Sequence, residues 1–208
     1  MSSALTIAAV TAIIKNLLEN SLIQQAVTTG MGDITITTLP PDRIAIGAEE
    51  RPQINLYLYR LTPNTGWRHT APGHTQEAQP EQALTLNLHY LLSAYSERDF
   101  QAEILLGVAT QSLYDASHIS GEHIRTAFNA LASHKSSGHT TLAALVRSSV
   151  PSQLAQINIT PEFLSLEDFS KLWSGFQARA RLSMTYKVTV MLHPAGSGAE
   201  AQPLQTTR

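Results

Sequence analysis

Val10, Ile13, Ile14, Leu17, Leu18 and Leu22 recur at three- and four-residue steps, the apolar stripe of an amphipathic helix, and predict a helix over residues 3 to 27. "TGMGD" stops it with a turn. "DITITTL" alternates as a β-branched strand and ends at the rigid "PPDR". In "PQINLYLYRLTP", Ile54, Leu56 and Leu58 share one face and Asn55, Tyr57 and Tyr59 the other, which predicts a second strand. Residues 62 to 82 carry no periodicity and are rich in Pro, Gly, Thr and Gln, a loop of the length that is usually functional or ordered by a partner. A third strand follows in "ALTLNLHYLLSAY", with Leu84, Leu86, Leu88 and Tyr90 on one side and Thr85, Asn87 and His89 on the other.

Ser96 opens "SERD", which reads as a capping box, and Phe100, Ile104, Leu105 and Val108 extend a helix to Tyr114. Residues 118 to 150 hold two weaker helical patterns, around Ile124, Phe128 and Leu131 and around Leu142, Leu145 and Val146, separated by "SHKSSGHT". "QLAQINIT" predicts a strand. "SLEDFSKLWSGF" predicts a short helix with Ser165 as N-cap, Asp168 at the box position, and Leu166, Phe169, Leu172, Trp173 and Phe176 facing inward. "LSMTYKVTVML" is a last strand, and residues 194 to 208 form a Pro/Gly/Ala/Gln tail with no core-forming pattern. The order describes one α/β or α+β domain over residues 1 to 193, a mixed sheet of four to five strands flanked by helices, with a helical insertion at about 118 to 150.

Composition narrows the chemistry. Cysteine is absent from the 208 residues, which removes thiol nucleophiles, zinc–thiolate sites, iron–sulfur clusters and disulfides. With 14 basic and 16 acidic residues and no run of either sign, the chain lacks the basic stripe that nucleic acid requires. Only 14% of residues are charged, against about 25% in an ordinary soluble domain. Such a surface suits a protein covered by neighbours. The apolar N-terminal segment has no positive charge ahead of it, and Lys15 and Glu19 interrupt it, so neither a Sec signal nor a membrane span is expected.

Eight histidines raise the question of a metal, but His118/His123 and His134/His139 are each five apart and do not share a helical face. "HISGEH" is one residue too long for the inverted zinc-protease pattern. G-x-S-x-G and the phosphate-loop motifs are missing, and the acid pairs Glu49/Glu50 and Glu167/Asp168 read as a loop pair beside Arg51 and a helix start. No catalytic, metal or cofactor residue is assigned.

Three features point to contacts with another molecule. Tyr57 and Tyr59 share the less aliphatic face of their strand, open to a partner unless a helix covers it. Arg179 and Arg181 lie between a helix and a strand, in reach of a partner's carboxylate or in a solvated turn. Trp67 and Arg68 sit in the long loop, where a large aromatic needs cover.

Taken in order, "TIAAVTAIIKNLL", "TTLPPDRI", "INLYLYRLTPNTGWR", "LTLNLHYLLSAY", "SLEDFSKLWSGF" and the set Arg181, Ser183, Tyr186 followed by "KVTVML" resemble the cap, or tail terminator, proteins of phage-tail-like contractile injection systems, including the antifeeding-prophage type. The resemblance covers most of residues 5 to 193. It implies a phage tail-terminator-like fold and a structural, non-enzymatic role: a homohexameric ring at the end of the inner tube and sheath that stops their growth. The implied partners are the inner tube protein and the sheath protein, with assembly in the bacterial cytoplasm, no nucleic acid, no cofactor and no membrane insertion. Two other expectations stand beside it: a small hydrolase with a His/Ser/Asp site and His89 or His123 as base, and an assembly chaperone that leaves the finished particle.

Overall fold

The structure, a computed structural model, describes residues 5–29, 32–44, 50–64, 84–133 and 154–192, without the side chains of 25–29, 84 and 131–133. Helix α1 spans Thr6–Thr29, followed by β1 (Thr35–Thr37), β2 (Gln53–Pro63), β3 (Leu84–Tyr95), α2 (Gln101–Asp115), β4 (His118–Ser120), α3 (Gly121–Ser133), β5 (Leu154–Glu162), α4 (Leu166–Gly175) and β6 (Ser183–Leu192). The strands form one mixed six-stranded sheet in the order β1-β2-β3-β6-β5-β4, with β1 parallel to β2 and the other neighbours antiparallel.

The α1 stripe lies in the core as its spacing predicts: Val10, Ile13, Ile14, Leu18 and Leu22 are buried with Leu88, Tyr90 and Leu92 of β3 and Val188 and Val190 of β6. By length and hydropathy the Thr6–Gln24 stretch could cross a bilayer; here its apolar side is covered by the sheet and α2. The buried Tyr90 hydroxyl meets Thr11 Oγ1 at 2.8 Å, so the helix satisfies the one polar atom that β3 presents to it. Residues of α2 and α3 join the same core, so α1, α2 and α3 share one face of the sheet. The other face carries the aromatic side chains that meet α4.

Two expectations are corrected. The sheet has six strands because His118–Ser120, read as part of a helical insertion, pairs with Gln156 to Asn158; three residues are too few to show a period. Gly121 then starts α3 against the bulged start of β5, where a Cβ would stand 3.2 Å from the Ala155 carbonyl. Second, α2 begins at Gln101, not at Ser96. Strand β3 runs to Tyr95 and Phe100 takes a left-handed conformation (φ 66), so the chain turns before the helix starts. Ser96 instead donates to Gln101 Oε1 at 2.6 Å and accepts from the Arg98 N–H.

Helix α4 is capped as the sequence predicts: Ser165 Oγ accepts from the Asp168 N–H and donates to Asp168 Oδ2 at 2.7 Å. Trp173 is buried, and Phe169, Leu172 and Phe176 are half-buried beside it. Leu166, read as inward, is 86% exposed, because the first turn is exposed all round and the stripe there has nothing to cover. The second helical pattern near Leu142 and the tail from 194 to 208 lie outside the described residues.

Candidate functional site

The face of β3 away from α1 holds His89, Asn87 and Thr85, as alternation requires, and the strand order decides what meets them. β6 lies between β3 and β5. His89 pairs in register with Lys187, and Glu162 with Thr185, so Glu162 reaches His89 diagonally across β6. His89 Nδ1 is 2.7 Å from Glu162 Oε2, with side chains 8% and 26% exposed. On the other side of the ring, His89 Nε2 is 3.0 Å from Thr62 Oγ1. The Tyr59 hydroxyl donates to the same Glu162 oxygen at 3.4 Å, and Thr185 donates to the Glu162 carbonyl. A neighbouring chain of bonds runs from Asn64 Nδ2 to Asn87 Oδ1 (3.2 Å), which also accepts from Thr189 Oγ1 (2.9 Å).

A bulge brings these groups together. Leu58 pairs with Tyr90 but Arg60 with His89, so Tyr59 is the extra residue of β2. Without it, Tyr59 and Thr62, odd and even in a period of two, would point to opposite faces. With it, Thr62 reaches His89 and Tyr59 reaches Glu162. Burial, then the facing Glu162 carboxylate, push the Tyr59 phenol up to about 12.

Tyr57 lies on this face and meets Phe176, the C-cap of α4, edge-on at 5.4 Å between ring centres. A helix therefore covers Tyr57, one of the two arrangements the sequence left open. Arg181 donates to Glu50 Oε2 at 3.1 Å and stacks 5.5 Å over the Tyr95 ring, so its carboxylate partner in this chain is Glu50. Arg179 is exposed. Trp67 and Arg68 lie outside the described residues. Tyr57 and Tyr59 thus belong to one half-covered surface, while Arg181 sits at its α4 end with Tyr95.

Sequence reading missed Glu162, Thr62 and Glu50. Glu162 follows Pro161, which reads as the end of a strand; among the described residues β4 pairs with Gln156 to Asn158 and no strand pairs with Pro161 on that edge, so no ladder bond is asked of it there. Thr62 falls where the predicted strand "PQINLYLYRLTP" and the loop from residue 62 overlap; β2 continues through Pro63, and the Asn64 N–H bonds to the Thr85 carbonyl.

Chemically, a hydroxyl, an imidazole and a carboxylate stand in the order that a general-base relay uses. The hydroxyl is a secondary alcohol on a paired strand, and the described groove lies on the opposite side, beside α2. His118 bonds Asn158 (2.7 Å) and His123 bonds Ser120 (2.9 Å). Among the described residues no group of three or more His, Asp or Glu is placed to hold a metal ion.

The fold is similar to that of the sheath/tube terminator, in extended state, of an extracellular contractile injection system, PVC, with TM-score 0.54 and 17% identity over 98% of this chain and 62% of that one. It is also similar to the anti-feeding prophage cap, a tube-terminating cap, with TM-score 0.48 and 17% identity over 91% of this chain and 58% of that one. The chain thus spans about three-fifths of the length of each. No curated protein matches the sequence. A family model, the Pvc16 N-terminal domain, matches residues 9–207, in agreement with the resemblance carried by the motifs from "TIAAVTAIIKNLL" to "KVTVML". Since that match leaves out only the first eight residues and the last, the chain belongs to the Pvc16 N-terminal domain family.

Proposed function

We propose that the chain is a terminator of a contractile injection particle, a structural protein that forms a homohexameric ring, ends the inner tube and sheath, and stops their growth. The observation that carries this is the family match over residues 9–207. The sparse charge of the chain supports the same reading, since a ring subunit is covered on several sides. Affinity comes from repeated moderate contacts fixed by symmetry. The contact candidates are the half-covered face at Tyr57 and Tyr59, the exposed Arg179, Arg181 behind it, and Trp67 and Arg68 in the stretch that follows β2. Assembly takes place in the bacterial cytoplasm, and the particle is of the kind that acts outside the cell.

Mass spectrometry of purified particles tests it: about six copies per particle are expected from the symmetry of such rings, and absence from the particle sinks it in favour of a chaperone. Deleting residues 65 to 80 leaves the monomer fold intact and prevents particles of normal length. Unchanged assembly removes the loop from the contact.

The Thr62, His89, Glu162 order favours one second reading, acyl transfer at Thr62 with His89 as base. A fluorophosphonate probe would then label Thr62 in the wild-type chain and not in His89→Ala. No labelling of Thr62 ends that reading.

A further inference from the structure

The face of the sheet that α4 covers at one end is ordered in rows, because paired residues on neighbouring strands point the same way. The row at the α4 end holds Tyr57, Leu91, Thr185 and Glu162, and Phe176 closes over Tyr57. At the far end, Thr62, Asn87, Thr189 and Asn158 make a row without one apolar side chain, which is not the lining of a core.

Between them lies a row of Arg60, His89, Lys187 and Thr160. The bulge at Tyr59 sets Arg60 in it. Arg60 is exposed and Lys187 half-buried, and they flank His89 two strands, about 10 Å, apart. Neither cation has a carboxylate partner among the described residues. Glu162 Oε2 already meets His89 Nδ1 and the Tyr59 hydroxyl. Burial and Glu162 raise the Tyr59 phenol and Arg60 acts against them, so the guanidinium stands close to that hydroxyl.

Two unpaired cations astride a hydrogen-bonded centre call for carboxylates, and their surroundings say whose. Nucleic acid follows a long basic stripe, whereas these two stand between a tyrosine row and an uncharged one. Tyr and Arg carry much of the binding energy at protein interfaces, and a guanidinium holds a carboxylate through two hydrogen bonds. A second copy is poorly furnished to supply them. Acids within two positions of each other occur twice among the described residues: Glu97 and Asp99 flank Arg98, and Glu167 and Asp168 are held by Lys171 and Ser165.

We propose that this row receives an acidic segment of a partner protein, one carboxylate on Arg60 and another on Lys187, on either side of His89. The inference rests on reading the Tyr57 and Tyr59 face as a contact surface, and not on the terminator role.

The full chain is titrated at low salt, by fluorescence anisotropy, with labelled peptides of alternating Glu and Thr and of alternating Lys and Thr, each of which carries a charge about every 7 Å along one side when extended. The Glu/Thr peptide binds more tightly. Arg60→Glu and Lys187→Glu each weaken it about fivefold or more. Arg125→Glu, the same charge change at an exposed position of α3 on the other side of the sheet, leaves it within about twofold. Thermal unfolding checks that the variants are folded, and Lys187→Gln carries the test if Lys187→Glu is not. The proposal is overturned by no binding of the Glu/Thr peptide, by equal binding of the two peptides, or by equal losses in Arg60→Glu and Arg125→Glu. A single-stranded oligonucleotide of the same charge that binds as tightly and loses as much in Arg60→Glu overturns it in favour of nucleic acid. Self-association in sedimentation that Arg60→Glu abolishes overturns it in favour of a second copy. A chain present in purified particles that binds neither peptide sinks this inference and leaves the terminator role standing.

Discussion

Glu162 of β5 reaches over β6 to place a carboxylate oxygen 2.7 Å from Nδ1 of His89 on β3. Both side chains are largely buried, 8% and 26% exposed, so the contact belongs with charged hydrogen bonds rather than with solvated surface pairs. Glu162→Ala and His89→Ala should each cost about 2 kcal/mol. A double-mutant cycle in urea should give a coupling of about 1 to 2 kcal/mol. Additive losses would mean the two groups are neighbours without being partners.

Tyr59 makes stability sensitive to alkali. Its phenol is raised from 10.0 to about 12, by burial first and then by Glu162, so the folded state holds the proton more tightly than the unfolded one. That contribution is fully present below pH 10 and is lost as pH rises from 10 toward 12. Burial also raises Tyr90, Tyr95 and Tyr186. Urea midpoints should fall through this window, and Tyr59→Phe should make the fall smaller. An unchanged fall in Tyr59→Phe would assign it to the other tyrosines.

Trp173 anchors α4 on the sheet. It is 2% exposed and sits between Phe169 and Phe176, with ring centres 6.3 and 6.2 Å away. Its Nε1–H is buried without a partner among the described residues. Trp173→Ala should therefore cost about 3 kcal/mol or more, whereas Trp173→Phe, which also removes the unmet donor, should cost about 1 kcal/mol. Equal losses in thermal unfolding would show that the indole N–H has found a partner.

Gln177 ends α4 with φ 54, the left-handed position where helices favour glycine, and its N–H bonds to the Ser174 carbonyl. Gln177→Gly should raise stability by about 0.5 to 1 kcal/mol. A loss in chemical denaturation would mean the glutamine side chain contributes more than its backbone costs.

Much of the fold is legible in local pattern. The α1 stripe, the alternation in β3 and the Ser165 cap each record a preference that a few neighbouring residues settle by themselves. Phe100 shows the limit: it fits a helical spacing, yet its left-handed backbone makes it the residue before α2, 74% exposed. β4 has only three residues, and its existence depends on β5 lying alongside. Among the candidate site residues, Tyr57 and Tyr59 were readable as sharing a face. That Tyr57 would meet Phe176, or Arg181 would meet Glu50, was not.

By itself the sequence determined which side of each element is apolar and where α4 begins, because helix and strand periods and the N-cap hydrogen bond act within a few residues. Only the tertiary structure decided the company of His89. Glu162 is 73 positions away and Thr62 is 27, and they meet because strand order sets β5 two strands from β3 and a bulge at Tyr59 turns Thr62 to the same face. Local spacing carries no term for either, since pairing energy is shared between strands distant in the chain and appears only when the sheet is formed.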